Sequence, residues 1–351
     1  MKAYQITEFS KPLEVKELDT PEPEGTEVMI KVDKAGVCHS DLHIQDGFYD
    51  LAGDTKLDLN ERGITLPRTM GHELYGKVVA AGPDAAGAPI GEFRLLYPWI
   101  GCRECSTCLA GYENICAAPA SIGVFNDGAY AEYCIVPHSK YLVDIGDLDP
   151  VVATPYSCSG LTVYSALSKA LPVSAEEWLV IMGAGGLGLN AVAIAKARGV
   201  NNIVSVDIND TKLAAAKEIG ATAALNSGSA EVLAQLQEIT GGGPRAVVDT
   251  VGAEATAGLG IASLLKGGRY VIVGLFGGGI TLGLPTLPLR AISVLGSYTG
   301  NLEELKALIE LAKSGKVKPL PVATRPMAEV SKTLDELRSG KIVGRVVMSN
   351  S

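Results

Sequence analysis

Positive charge is scarce in this sequence: 30 Lys and Arg residues stand against 39 Asp and Glu, a net charge of −9. With no long basic run, the chain argues against a nucleic-acid partner. Aromatic residues make up only 5%, charged residues 20% and apolar residues 47%. Those fractions exclude disorder, collagen and a coiled coil. Uninterrupted apolar runs of membrane-spanning length are missing too. The two uncharged stretches, 178–195 and 270–289, are broken by Gly183, Gly185, Gly186 and Gly188, and by five glycines with Pro285 and Pro288. Such breakers favour strand and loop over a spanning helix. The first residues, MKAYQITEFS, lack the apolar core of a signal peptide. The expectation is a soluble cytoplasmic protein without a membrane partner.

Seven cysteines are too few, and odd in number, for a disulfide framework. They are also unevenly spread. Cys102, Cys105, Cys108 and Cys116 crowd into one short segment, while Cys38, Cys134 and Cys158 stand apart. In a reducing compartment, such a cluster points to a metal.

The 351 residues suffice for two domains at about 100–200 residues each. Up to about residue 160, short β-rich runs (27–37, 74–81, 131–136) alternate with Gly and Pro turns, predicting an antiparallel sheet or small barrel. Beyond it, apolar strands at 178–182, 202–206, 221–225, 245–249, 269–274 and 291–296 alternate with helices such as 187–198 and 211–219. That alternation predicts an α/β fold with a doubly wound parallel sheet. A helix at 302–313 and a last strand at 342–348 do not extend it, and are expected to return to the first domain. The expected division is 1–159 with 298–351 for one domain and 160–297 for the other.

Gly183-Ala-Gly185-Gly186-Leu187-Gly188 follows a predicted strand and opens a predicted helix. Gly183 suits a tight turn, Gly185 a close approach to a pyrophosphate, and Gly188 close helix–strand packing, with the helix N-terminus facing the phosphates. Asp207 ends the next strand nineteen residues after Gly188, where a carboxylate accepts ribose hydroxyls. It would also repel a 2′-phosphate, so NAD is predicted over NADP. Lys212 is either a solvated helix lysine or a second ribose ligand. Val251 and Val273, just beyond or at the end of predicted strands, join the cofactor-binding set.

The four clustered cysteines offer a complete tetrahedral thiolate set, which leaves no room for substrate and reads as a structural zinc site. A catalytic site needs an open position. Its candidates are Cys38, in Gly-Val-Cys-His-Ser-Asp, and His72, in Met-Gly-His-Glu. Singly, each is as readily a core residue.

Taken in order, the CHSD segment, the GHE segment, the four-cysteine lobe, Cys158 in PYSCSGLTVYSAL, the GAGGLG turn with Asp207, and the closing GKIVGRVVM resemble one family nearly end to end. That family is the zinc-dependent alcohol dehydrogenases of the medium-chain dehydrogenase/reductase class. The resemblance implies a Rossmann domain, a GroES-like catalytic domain, NAD, and two zinc ions, the catalytic one on Cys38, His72 and Cys158. Cys134 is the rival third thiolate, otherwise packing. Glu73 resembles an acidic neighbour that can approach the metal, and Asp41 would fix the His72 ring. Ser40 and His43 would relay the proton; His43 is alternatively a surface imidazole. His39 and Arg345 would face the pyrophosphate. His138 matches nothing and reads as surface.

Segment 47–67 is a longer insertion than many members carry, so it is expected to shape the substrate entrance or a subunit contact. Tyr49, Trp99 and Tyr298 are candidates for the substrate wall, and aromatic lining favours bulky, cyclic or aromatic alcohols. The expected reaction is reversible oxidation of primary or secondary alcohols to aldehydes or ketones. Rival readings are a zinc-free quinone or enone reductase of the same superfamily, and a non-enzymatic zinc ribbon. The exposed edge expected at 291–296 suits a homodimer or homotetramer.

Overall fold

In the computed structural model, which describes residues 1–350, two sheets dominate, with a cleft between them. The first is built around the Val28–Gly36 strand, whose Val28, Ile30 and Val32 point into the core while Lys31 faces solvent. That alternation is what a half-buried antiparallel strand requires. It pairs with Glu73–Ala81 and Tyr133–Val136, and with Arg345–Ser349 from the far end of the chain. The last strand begins at Arg345 rather than 342 because Gly344 sits at φ +80°, a left-handed conformation that no strand continues through.

The second sheet is parallel throughout. Its six strands lie in the order Ala223–Asn226, Asn202–Asp207, Trp178–Met182, Ala246–Asp249, Arg269–Ile272, Ser293–Gly296. Chain order reverses direction beside Trp178–Met182, and ligands of such sheets bind at the carboxyl ends of the strands at that point. Leu179, Val180, Ile181 and Met182 are all fully buried, as a strand covered by helices on both faces demands. The predicted strand 269–274 stops at Ile272, since Gly274 bends in against the Val251 backbone too closely for any side chain. The uncharged stretch 270–289, read as strand and loop, also contains part of a short helix, Thr286–Arg290.

The insertion folds into a small hairpin, Phe48–Asp50 with Lys56–Asp58, anchored by the buried side chains of Leu59 and Ile64. It crosses the cleft to the loop after the fifth strand: a side chain at Gly277 would strike Asp50, and one at Gly279 would strike Ala52.

Candidate active site

The cleft is a cavity of about 910 Å³ that runs from the glycine-rich turn to Cys38 and Cys158. At one end, Gly183 takes φ +92° to turn the chain out of its strand. A Cβ at Gly188 would overlap the Gly183 carbonyl oxygen, whereas at Gly185 it would meet nothing, so the turn is tight inside and open toward the cavity. The Gly186–Ala197 helix begins there, its free N–H groups facing the space. Asp207 lines the same end, with one carboxylate oxygen held by the Ala184 N–H at 2.7 Å and the other by Asn209 N–H at 2.9 Å. Lys212, Leu187, Val251 and Val273 also line the cavity.

At the other end, Cys38 precedes the His39–Asp46 helix, His72 directly precedes the central Glu73–Ala81 strand that Glu73 opens, and Cys158 precedes the Ser159–Ala170 helix. One donor atom from each of Cys38, His72, Glu73 and Cys158 lies within 4.8 Å of the others, and all four residues are buried. The two sulfurs are 3.8 Å apart. The hydrogen bond from Cys158 holds the Cys38 thiol well below its usual range, and the same bond pushes Cys158 up. His72 Nδ1 lies 3.2 Å from Asp41, whose other oxygen accepts from the Cys38 N–H (2.9 Å) and the Tyr130 hydroxyl (2.8 Å). Both His72 ring nitrogens are buried without a hydrogen bond, Nδ1 facing Asp41 as an ion-pair neighbour. Burial works against a charge on His72, but Asp41 and Cys38 raise it well above the ordinary imidazole value. A buried imidazole nitrogen without a partner beside two thiols, with a carboxylate facing the other side of the ring, fits a zinc ion with a position left open.

Ser40 is 3.8 Å from the Cys38 sulfur and His43 stands on the same helix; both line the cavity. Burial lowers the His43 pKa, and its ring lies 4.8 Å from that of Tyr49. Trp99 packs on His72 at 5.3 Å and on Tyr298 at 6.1 Å, so the three candidate wall residues Tyr49, Trp99 and Tyr298 share one end of the cavity. His39 also lines it. Arg345, expected at the phosphates, adjoins Gly186 and lines the cavity, with its guanidinium paired to Glu73, because a buried guanidinium and a buried carboxylate each need a partner.

The second cluster, Cys102, Cys105, Cys108 and Cys116, also lies within 4.8 Å. Backbone N–H groups of Cys102, Cys105 and Ala118 point at its sulfurs at 3.3–3.4 Å. Hydrogen bonds from the Glu104 and Cys105 backbone bring the Cys102 thiol down to about 6, while burial takes Cys108 up to about 12. Four thiols this close together, two of them accepting from backbone N–H groups, fit a closed zinc site. Cys134 lies elsewhere; burial pushes its thiol up to about 12. His138 caps a turn by accepting from Lys140 N–H.

Two residues escaped the sequence reading. Tyr130 supports Asp41, and Glu113 ties the cysteine lobe to Gly101, Lys140 and Tyr141. Tyr130 lies outside every motif and Glu113 in the spacer between Cys108 and Cys116, so no local signal marked them.

Residues 24–147 match the alcohol dehydrogenase GroES-like domain, and residues 186–314 the zinc-binding dehydrogenase domain. A protein of Sulfurisphaera tokodaii named NAD-dependent alcohol dehydrogenase is 38% identical over 350 residues, covering 99% of both chains. The chain belongs to the zinc-type alcohol dehydrogenases of the medium-chain dehydrogenase/reductase family. Among solved alcohol dehydrogenases, that of Aeropyrum pernix superposes with a TM-score of 0.90 at 29% identity, over 99% of this chain and 100% of the other. An acetophenone reductase of Geotrichum candidum, in complex with NAD, gives 0.86 at 28% identity, over 99% and 97%. No helix among the described residues is long and apolar enough to cross a membrane.

Proposed function

We infer that the chain oxidises alcohols reversibly to aldehydes or ketones, with NAD as hydride acceptor. One observation carries this reading: a three-ligand metal set at one end of a cavity whose other end is a dinucleotide cradle. When bound, zinc on Cys38, His72 and Cys158 supplies Lewis-acid polarisation of the substrate oxygen, and NAD takes the hydride.

The chain's own residues do the rest. Asp41 fixes the His72 ring. Ser40 Oγ accepts the substrate hydroxyl proton as it gives up its own, and His43 receives the relayed proton and releases it to solvent. Glu73 tunes the charge beneath the ligands through its pairing with Arg345. Tyr49, Trp99 and Tyr298 orient the substrate and exclude water, which favours bulky, cyclic or aromatic alcohols, primary or secondary. On the dinucleotide side, Asp207 accepts the ribose hydroxyls with Lys212 beside it. The Gly183–Gly188 turn, His39 and Arg345 surround the phosphates, and Val251 and Val273 flank the nicotinamide. Residues 1–159 with 298–351 form the catalytic unit and 160–297 the NAD-binding unit. The four-cysteine lobe carries a structural zinc.

Reduced cysteines throughout suit the cytoplasm. The exposed Ser293–Gly296 edge supports a homodimer or homotetramer.

Elemental analysis with a panel of primary, secondary, cyclic and benzylic alcohols tests the reading. Two zinc ions per chain and NAD-linked turnover are expected, with Cys38→Ala and His72→Ala abolishing turnover while NAD still binds. Full turnover by metal-stripped protein would overturn it.

A further inference from the structure

The Gly186–Ala197 helix is buried continuously from Gly188 to Ala195, and within that run one side chain is polar. Asn190 has no exposed surface. Its Nδ2 donates to Ser159 Oγ at 2.9 Å, and Ser159 Oγ donates to the Pro155 carbonyl at 3.0 Å. The Asn190 Oδ1 has no partner at all. An unpaired amide oxygen in an apolar interior is a standing cost to stability, and a leucine of similar volume would avoid it. Stability does not account for this residue.

Position does. Asn190 rises from the beginning of the helix whose N-terminus faces the dinucleotide cradle. Ser159 is the first residue of the neighbouring helix and directly follows Cys158. Both helices therefore start at the site, and they are tied together at their beginnings by one buried hydrogen bond. We propose that Asn190 is a positioning residue that couples occupancy of the NAD cradle to the placement of the Cys158 sulfur. Ordering of the glycine turn around the dinucleotide fixes the first turn of the Gly186–Ala197 helix. Asn190 passes that order to Ser159, and the backbone passes it to Cys158. This coupling rests on the metal and NAD reading above, and by linkage it is reciprocal: the metal end also sets NAD affinity.

The full-length protein loaded with cobalt(II) in place of zinc tests it, since thiolate-to-cobalt charge-transfer bands report the sulfur geometry directly. Adding NAD to the unsubstituted protein should shift those bands. Asn190→Leu should retain its metal, melt at the same or a higher temperature, bind NAD about fivefold more weakly, and lose most of the spectral shift. Ser159→Ala should reproduce that loss, and the double variant should add nothing further. An undiminished shift in Asn190→Leu, with or without a lower melting temperature, overturns the coupling and leaves Asn190 a purely structural residue. Cobalt that never enters the Cys38–His72–Cys158 cluster of the unsubstituted protein removes the reading of the site itself, and the coupling with it.

Discussion

The guanidinium of Arg345 closes on the carboxylate of Glu73 across 272 residues of sequence, with both side chains buried beneath the Cys38–His72–Cys158 cluster. Burial pushes Glu73 up to about 7, and Arg345 pulls the other way. Each charge is tolerable only because the other is present. Arg345→Leu leaves the carboxylate alone in the interior and should cost about 3–5 kcal/mol of unfolding free energy. Adding Glu73→Gln should recover much of that. Chemical denaturation of both single variants and the double checks this, and equal stability of Arg345→Leu and the double variant would refute the pairing.

On the proposed reading, His43 provides the pH dependence. Burial lowers its pKa below the ordinary imidazole value of about 6.5. The ring is therefore neutral at pH 7 and able to accept a proton. As pH falls through the lowered value, the ring protonates and the relay stops, so the acid limb of kcat for alcohol oxidation should have its midpoint below about 6.5. His43→Gln should lower kcat by about 10²-fold and abolish that limb, with NAD affinity unchanged. A pH–rate profile that survives the substitution would remove His43 from proton transfer.

What was legible in the sequence is local. The run Trp178–Met182, the glycine turn after it and the Leu302–Lys313 helix read directly from periodicity and glycine placement, because a buried parallel strand and a capped helix are each specified within a few residues. The α/β class followed from the alternation of strands and helices, and the family from several motifs in order. What could not be read depends on partners far apart in the chain. Glu73 was legible as an acid beside His72, but nothing near it announces Arg345. Tyr130 reaches Asp41 over 89 residues. The 47–67 insertion was visible as extra length, yet its hairpin and its contact with Gly277 and Gly279 depend on a loop from the other half of the molecule. Asn190 lies in a helix legible from the sequence, but its enclosure depends on Ser159, 31 residues away in the chain.

On the proposed reading, cofactor choice rests on Asp207. Its carboxylate lines the cavity at the end of the second strand of the parallel sheet, and Lys212 is the basic residue that follows it there. A negative charge at that point disfavours a 2′-phosphate. Asp207→Gly should therefore weaken NAD and admit NADP, narrowing the preference in kcat/KM by about tenfold or more. Steady-state kinetics with both dinucleotides measure it, and an unchanged preference would move the discrimination elsewhere.

The Ser293–Gly296 strand is hydrogen-bonded on one side only, to Arg269–Ile272. Its outer row of N–H and C=O groups faces away from the sheet, with Val294 exposed on it. Phe276, Leu284 and Leu289, from the segment leading into this strand, are also exposed, each by more than 70%. An unpaired edge with exposed apolar neighbours is a liability in a lone chain and an asset in a symmetric pair, where two edges join antiparallel and the two six-stranded sheets become one. The expected state is thus a homodimer, or a tetramer built from it. Val294→Lys combined with Leu289→Glu sets charges into that seam without touching the cavity, and should shift the mass by light scattering to that of one chain while NAD still binds. A variant that keeps its oligomeric mass would show that the chains meet through another face.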